Sequence, residues 1–230
     1  MFKAKVRFVL AAAFAGTAVS VLLGSQTDSA DRHFESAKQP LQIRVFNIAG
    51  VPRRDLSRAE REVTRIFAEA DMAVLWAEGA LDDSASLITD FSASNTLATG
   101  CKVASHAHDV SIRLLPHAPH GVAIGTLGFS LPCAAFGIDS TIFVDNCEGV
   151  TYQGSASFSK VLAYAIAHEL GHLLLRSSEH SQTALMRARW DKAAWIRATV
   201  EGIPIDREQA RRMRIELSRM ASGAATGNSR

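Results

Sequence analysis

The feature that most constrains this chain is a metal-binding motif inside an apolar, helix-forming stretch. Residues 161–175 read VLAYAIAHELGHLLL and contain His168-Glu169-x-x-His172. On an α-helix, positions i and i+4 share a face, so both imidazoles can reach one metal ion. Glu169 lies about 100° further round the helix, where it can act on a water molecule instead of binding the metal. We therefore predict a zinc site completed by one further ligand and a water.

The segment that follows the helix supplies the third ligand in this prediction. Residues 176–186 read RSSEHSQTALM, and His180 is the histidine among them. Neutral imidazole is the commonest metal ligand, so His180 is the first choice. Three carboxylates stay open as alternatives, namely Glu179, Asp191 and Glu201.

Together these residues resemble the metzincin clan of zinc peptidases, and its matrixin-like members most closely. Those proteins read His-Glu-x-x-His-x-x-Gly-x-x-His, and a turn that contains methionine follows. The chain matches this pattern at His168, Glu169, His172, the His180-Ser181 pair and Ala184-Leu185-Met186. It departs from the pattern at Leu175, which takes the glycine position, and at His180, because Ser178 stands at the usual spacing.

The resemblance implies an α/β (α+β) metzincin-like fold. Its parts are a twisted mixed five-stranded sheet, a backing helix, an active-site helix, a Met turn and a C-terminal helix. The family glycine lets the active-site helix end in a left-handed turn. Because Leu175 replaces it, we expect the helix to run about one turn further, until Ser177 and Ser178 release the chain.

The resemblance also implies a zinc-dependent endopeptidase with one catalytic zinc ion. His168, His172 and His180 would bind the zinc, and Glu169 would be the general base toward a water that the metal activates. Met186 would form an apolar floor under the metal. Two other functions remain open. One is a zinc hydrolase or amidase with a carboxylate as third ligand, and the other is a non-catalytic peptide-binding module on a peptidase scaffold.

The first residues have the composition of an export signal. Lys3, Lys5 and Arg7 precede an almost wholly apolar stretch, 8–24, and small residues follow. We expect residues 1–30 to be a signal peptide, or otherwise an uncleaved membrane anchor. The protein would then be secreted or periplasmic.

The remaining chain is predicted to form one domain. Residues 31–40 are expected to form a flexible arm, 41–220 the catalytic domain and 221–230 a disordered tail. Hydrophobic periodicity predicts strands at 41–46, 72–76, 109–115, 121–130 and 140–144, and helices from Asp55 or Ser57 to Ala70 and from Asp206 to Met220. The fourth of these strands would be the edge strand that lines the substrate cleft.

Charge limits the partners that the sequence supports. The full chain has a net charge of +2, and the first 30 residues carry the same net charge, so the exported chain is near neutral. This near-neutral net charge does not favour nucleic acid as a binding partner. We expect a peptide or protein substrate, a monomer, and membrane contact only if the leader stays uncleaved.

Cysteines and further histidines cluster in the middle of the chain. Cys101, Cys133 and Cys147 allow one disulfide after export, with the pairing left open. The histidines of this region are His106, His108, His117 and His120. Their spacing does not match a known structural zinc pattern closely, so we expect loop histidines and not a second metal site.

Overall fold

The computed structural model describes residues 40–79, 109–132, 140–154 and 156–227. These ranges contain five strands and five helices. The strands are β1 (Leu41–Asn47), β2 (Val74–Glu78), β3 (Asp109–Leu115), β4 (Gly128–Ser130) and β5 (Ser140–Phe143). The helices are α1 (Arg53–Glu69), α2 (Val144–Tyr152), α3 (Phe158–Leu175), α4 (Lys192–Val200) and α5 (Arg207–Gly227).

The strands form one five-stranded mixed sheet in the order β2-β1-β3-β5-β4. β1 pairs in parallel with β2 and β3, and β3 pairs in parallel with β5. β4 is an edge strand and runs antiparallel to β5, with Phe129 opposite Thr141. Parallel neighbours need a crossover connection, and α1 makes it between β1 and β2. The predicted fold class, a mixed α/β fold built on a five-stranded sheet, is confirmed.

Alternating apolar residues decide which face of the sheet is covered. In β1, Ile43 and Val45 are buried, whereas Gln42 and Arg44 between them are exposed. Helix α1 covers the buried face with one apolar stripe at helical spacing. The stripe consists of Leu56, Ala59, Val63, Ile66 and Phe67. Burying each large side chain of this kind stabilises the fold by about 1.5–3 kcal/mol.

Helix α3 is the central element because it is apolar on nearly every side. It packs against α1, α2, α5, β4 and β5, and most of its residues are buried. Lys160 near its start pairs with Glu62 of α1 at 2.7 Å, which joins the two helices at one end. The position of α3 matters for function, since it carries the predicted metal ligands against the edge strand of the sheet.

Most predicted elements are present, with small shifts at their ends. β3 has the predicted bounds, and α1 begins near the predicted start, at Arg53. The predicted cleft strand over 121–130 is wrong for its first part, because only Gly128–Ser130 is strand. Gly121 and Gly125 have φ values of 93° and 82°, which turn the backbone out of an extended path.

Three further corrections concern helices. α2 and α4 were not predicted as helices. α5 begins as predicted, because Asp206 Oδ1 accepts a 2.9 Å hydrogen bond from the Glu208 N–H and caps the helix. It ends at Gly227 and not near Met220, so the backbone of the expected tail is helical up to that residue. Three alanines in 221–227 favour this extension, whereas the two glycines of the same stretch oppose it.

Several predictions fall outside the described residues. These are the leader (1–30), the arm up to residue 39, Cys101, Cys133, and the histidines at 106 and 108. Within the described ranges, no helix is both long and apolar enough to cross a membrane. Cys147 is described and fully buried in α2. Its pairing stays a prediction.

Candidate metal centre and cleft

Helix α3 brings His168 and His172 together on the face that borders the cleft. The two rings lie edge to face with their centroids 4.7 Å apart, and their Nε2 atoms are 3.1 Å apart. Each ring is fixed from behind by a backbone carbonyl. His168 Nδ1 lies 2.9 Å from the oxygen of Leu185, and His172 Nδ1 lies 2.7 Å from the oxygen of Ser177.

These two hydrogen bonds determine where the ring protons sit. A carbonyl oxygen only accepts, so Nδ1 of each ring must carry the proton. Burial lowers the pKa of His168 to about 4 and lowers that of His172 as well, so both rings are neutral near pH 7. Both Nε2 atoms of His168 and His172 therefore present lone pairs to each other.

Facing lone pairs at this distance repel unless a cation lies between them. A tetrahedral zinc ion with Zn–N bonds of about 2.0–2.1 Å holds two imidazole nitrogens about 3.3 Å apart. The 3.1 Å separation of the Nε2 atoms is close to that value. The donor set and its supporting carbonyls therefore fit zinc.

His180 completes a group of three donors. One nitrogen from each of His168, His172 and His180 lies within 4.8 Å of the others. The ring of His180 stacks on His168 at 5.3 Å and meets His172 edge to face at 4.8 Å. His180 is exposed, so it closes the group from the solvent side.

The loop that delivers His180 begins earlier than expected. Helix α3 ends at Leu175, and Arg176 adopts the left-handed conformation with φ 50°, so the extra helical turn is a wrong prediction. This conformation costs a non-glycine residue free energy. The guanidinium of Arg176 donates to Glu216 of α5 at 2.9 Å, and the N–H of Ser177 donates to the carbonyl of His172 at 3.2 Å. These contacts hold the turn without glycine.

The three alternative ligands are not part of this group of donors. Asp191 caps α4, where its Oδ1 accepts a 2.7 Å hydrogen bond from the Ala194 N–H. Glu201 follows the last residue of the same helix, and Glu179 is exposed. In the described part of the chain, the three histidines are the group of potential ligands that comes together.

A closed turn beside helix α3 positions Met186. The Ser181 N–H donates to the Met186 carbonyl at 2.8 Å, and Ala184 takes a left-handed φ of 58°. The side chain of Met186 is fully buried against Gly171 of α3. A Cβ atom at Gly171 would lie 2.3 Å from the Met186 sulfur, so this approach requires glycine. We did not single out Gly171 from the sequence, although it stands inside the His-Glu-x-x-His motif.

Glu169 is almost completely buried beside the histidines and contacts the edge strand. Its Oε2 lies 2.7 Å from the hydroxyl oxygen of Ser130, which also lies 2.8 Å from Ser140 Oγ. Burial raises the pKa of Glu169 to about 7, and the Ser130 hydroxyl opposes that rise. A carboxyl with a pKa near neutrality exchanges protons readily at physiological pH. Ser130 was not identified from the sequence.

A cleft of about 770 Å³ opens in front of these residues. β4 and the turns before it form one rim, and α3 forms the floor with His168, Glu169 and His172. The opposite wall comes from the segment after Met186 and from α4. Its side chains include Arg187, Arg189, Trp190, Asp191 and Trp195. The predicted edge strand thus borders the predicted metal site.

The middle-region histidines that are described lie apart from this group. His117 Nδ1 is 3.1 Å from an oxygen of Asp145, and His120 is exposed. No metal-binding group forms around them within the described ranges. The lack of a second metal site stays a prediction, because His106 and His108 are outside those ranges.

Comparisons with known proteins find structural likeness but no matching sequence family. No protein-family model and no curated protein matches this sequence. Among solved structures, the chain is similar to a zinc-dependent peptidase from Methanocorpusculum labreanum (strain Z), with 14% sequence identity and a TM-score of 0.42. The similarity covers 76% of this chain and 99% of that chain. At these values the likeness carries no weight for activity, which must be argued from the site itself.

Proposed function

We propose that this protein is a zinc-dependent endopeptidase of the metzincin type. The observation that carries the proposal is the pair of neutral imidazoles whose Nε2 lone pairs face each other at 3.1 Å, with His180 at the same point. His168, His172 and His180 would hold one zinc ion. The metzincin assignment rests on the order His168-Glu169-x-x-His172, the later His180 and the buried Met186 beneath them.

Zinc, when bound, supplies a Lewis acid that polarises a carbonyl group and lowers the pKa of water. The protein's own groups do the remaining work. Glu169 accepts a proton from the attacking water and later delivers it to the leaving amine, because its side chain lies at the cleft beside the histidines. Ser130 holds the Glu169 carboxylate at the edge of the cleft. β4 offers an extended peptide a strand to lie along.

Metal content tests the ligand set. Purified protein should contain one zinc ion, and His180→Ala should lose it or bind it much more weakly. Glu179→Ala is the matched control, because it removes a neighbouring side chain that the proposal leaves out. Equal zinc in wild type and His180→Ala, with loss in Glu179→Ala, would establish a carboxylate ligand and favour the other zinc hydrolases.

Turnover tests the reaction. Zinc-loaded wild-type protein should cleave a mixture of extended peptides, and Glu169→Gln should keep its zinc while cleavage falls by about 10²-fold or more. Unchanged cleavage by Glu169→Gln would contradict the proposed base. Peptide binding by zinc-loaded wild type without any cleavage would indicate the binding module instead.

We propose further that the protein acts after export. The support is the sequence of residues 1–30, with its charged start and apolar stretch. N-terminal sequencing of the protein from an exporting host tests this, since a start after residue 17 and before residue 32 would indicate cleavage. An unprocessed, membrane-bound product would favour the anchor.

A further inference from the structure

Arg187 lies in the wall of the cleft and follows the proposed metal ligands closely in the sequence. It follows Met186, whose side chain is fully buried beneath the histidines. Its backbone forms a bridge with Ser181, the residue after His180. Arg187 is thus joined to Met186 along the chain and to Ser181 through the bridge. Its side chain lines the cleft.

The Arg187 guanidinium has an unsatisfied donor. Its Nε is buried and has no hydrogen-bond partner within the described residues. A buried donor without an acceptor costs free energy, and the cost is larger when the group is charged. Other arginines of the protein donate to carboxylates, as Arg176 does to Glu216 and Arg65 does to Glu62. Arg187 differs from these because its Nε faces no acceptor of the described protein.

The two acids that line the cleft each have a hydrogen-bond partner other than Arg187. Asp191 accepts from the Ala194 N–H at the start of α4, and Glu169 contacts Ser130. The wall beside Arg187 is aromatic, with Trp190 packed on Trp195 at 4.7 Å between ring centroids. The apolar side chains of the cleft wall keep part of the water away, so an incoming carboxylate is attracted to Arg187 more strongly than it would be in open water.

We propose that Arg187 is the recognition site for a carboxylate on the peptide substrate, within about two residues of the bond that is cleaved. An arginine can bind a carboxylate through two parallel N–H···O bonds, and the two terminal amino groups of Arg187 are the donors that a carboxylate in the cleft can reach, because the Nε is enclosed by protein. The inference rests on the proposed peptidase function and adds the substrate class. The carboxylate can come from a glutamate or aspartate side chain, or from the C-terminus of a short peptide.

Matched peptides test the preference. Pairs that differ only by Glu or Gln at each position flanking the cleaved bond are offered to the zinc-loaded enzyme, with free and amidated C-termini. We expect the carboxylate-bearing member of one pair to be cleaved with a kcat/KM about 10-fold higher, which is the size of one charge-assisted contact of about 1.4 kcal/mol. Preference for Glu identifies the side chain, and preference for a free C-terminus identifies the terminal carboxylate. Equal rates in every pair would overturn the proposal.

Variants assign the preference to one residue. Arg187→Gln should reduce the ratio between the paired peptides to about 1, and Arg187→Lys should give an intermediate ratio, since lysine keeps the charge without the fork. Arg189→Gln is the matched control, because Arg189 is an exposed arginine on the same wall. Retention of the full ratio in Arg187→Gln would refute the assignment.

A binding measurement separates this inference from the proposed function. The intrinsic fluorescence of Trp190 and Trp195 reports on occupancy of the cleft in zinc-loaded Glu169→Gln protein. The carboxylate-bearing peptides should bind about 10-fold more tightly than their amide partners, and Arg187→Gln should abolish the difference. Selective binding without turnover in the wild type would refute the peptidase and keep the recognition site. Turnover without selectivity would support the peptidase and refute the recognition site.

Discussion

Met186 can approach helix α3 closely because Gly171 has no side chain. A Cβ atom there would meet the Met186 sulfur at 2.3 Å and its methyl carbon at 3.0 Å. We expect Gly171→Ala to lower the free energy of unfolding by roughly 1–3 kcal/mol, because the buried Met186 must move. Urea unfolding of the metal-free protein measures this change.

Gly149 offers the matched control for that substitution. It lies within α2, and a Cβ atom there would have no atom within 4 Å. Gly149→Ala should be neutral or stabilising by up to about 1 kcal/mol, because alanine favours helix over glycine. Equal effects of Gly149→Ala and Gly171→Ala would show that crowding against Met186 is not the cause.

Glu169 gives the metal-free protein a measurable pH dependence. Burial raises its folded-state pKa from 4.5 to about 7, so between these values the folded protein retains a proton that the unfolded chain has lost. The stability contributed by the protonated form is complete below pH 4.5 and is lost as the pH rises through 7. Above pH 7 the loss is on the order of 3 kcal/mol.

Glu169→Gln removes this titration while keeping the shape of the side chain. The gain in unfolding free energy of the variant over wild type should be larger at about pH 8 than at about pH 5. Urea midpoints of the metal-free proteins at the two pH values give the comparison. A difference between variant and wild type that does not change with pH would contradict a raised Glu169 pKa.

Asp191 lies in the cleft, where it caps the start of helix α4. Its Oδ1 accepts from the Ala194 N–H at 2.7 Å and so satisfies the first turn of the helix. Asp191→Ala should therefore cost about 1 kcal/mol of stability, while Asp191→Asn, which can still cap, should cost less. Both variants should bind one zinc ion, and loss of zinc from both would make Asp191 a ligand after all.

The elements differ in how well the sequence predicts them. β3 and α1 have clear periodicity and were predicted within a few residues of their bounds. α2 and α4 are short and have no strong amphipathic pattern, so periodicity did not distinguish them from loops. The end of α3 depends on the contact of Arg176 with Glu216, which is far along the chain and leaves no local signal.

The residues of the site also differ in how well the sequence predicts them. His168, Glu169 and His172 could be located from sequence because their geometry follows from helical spacing alone. His180 followed from the chemistry of the residues in one short loop. Ser130 could not be predicted, because its contact with Glu169 depends on the register of β4 with β5 and on the packing of both against α3.

At the scale of the whole molecule, zinc should stabilise the folded state by mass action. A ligand that binds only the folded protein, at a free concentration of about 100 times its Kd, raises the unfolding free energy by about 2.7 kcal/mol. We expect zinc removal to lower the melting temperature accordingly and zinc addition to restore it. The His180→Ala protein should show little response to zinc, and a full response would argue against the three-histidine site.

The three histidines that would bind zinc lie within the short segment 168–180, and this has a consequence for folding kinetics. A metal bound there closes only a short loop, so it removes little conformational entropy from the unfolded chain. We expect the slow step to be the pairing of parallel strands such as β1 and β3, which are distant in sequence. Refolding rates should therefore be nearly independent of zinc. The metal would enter a fold that already exists, and the chain could lose and regain it without refolding.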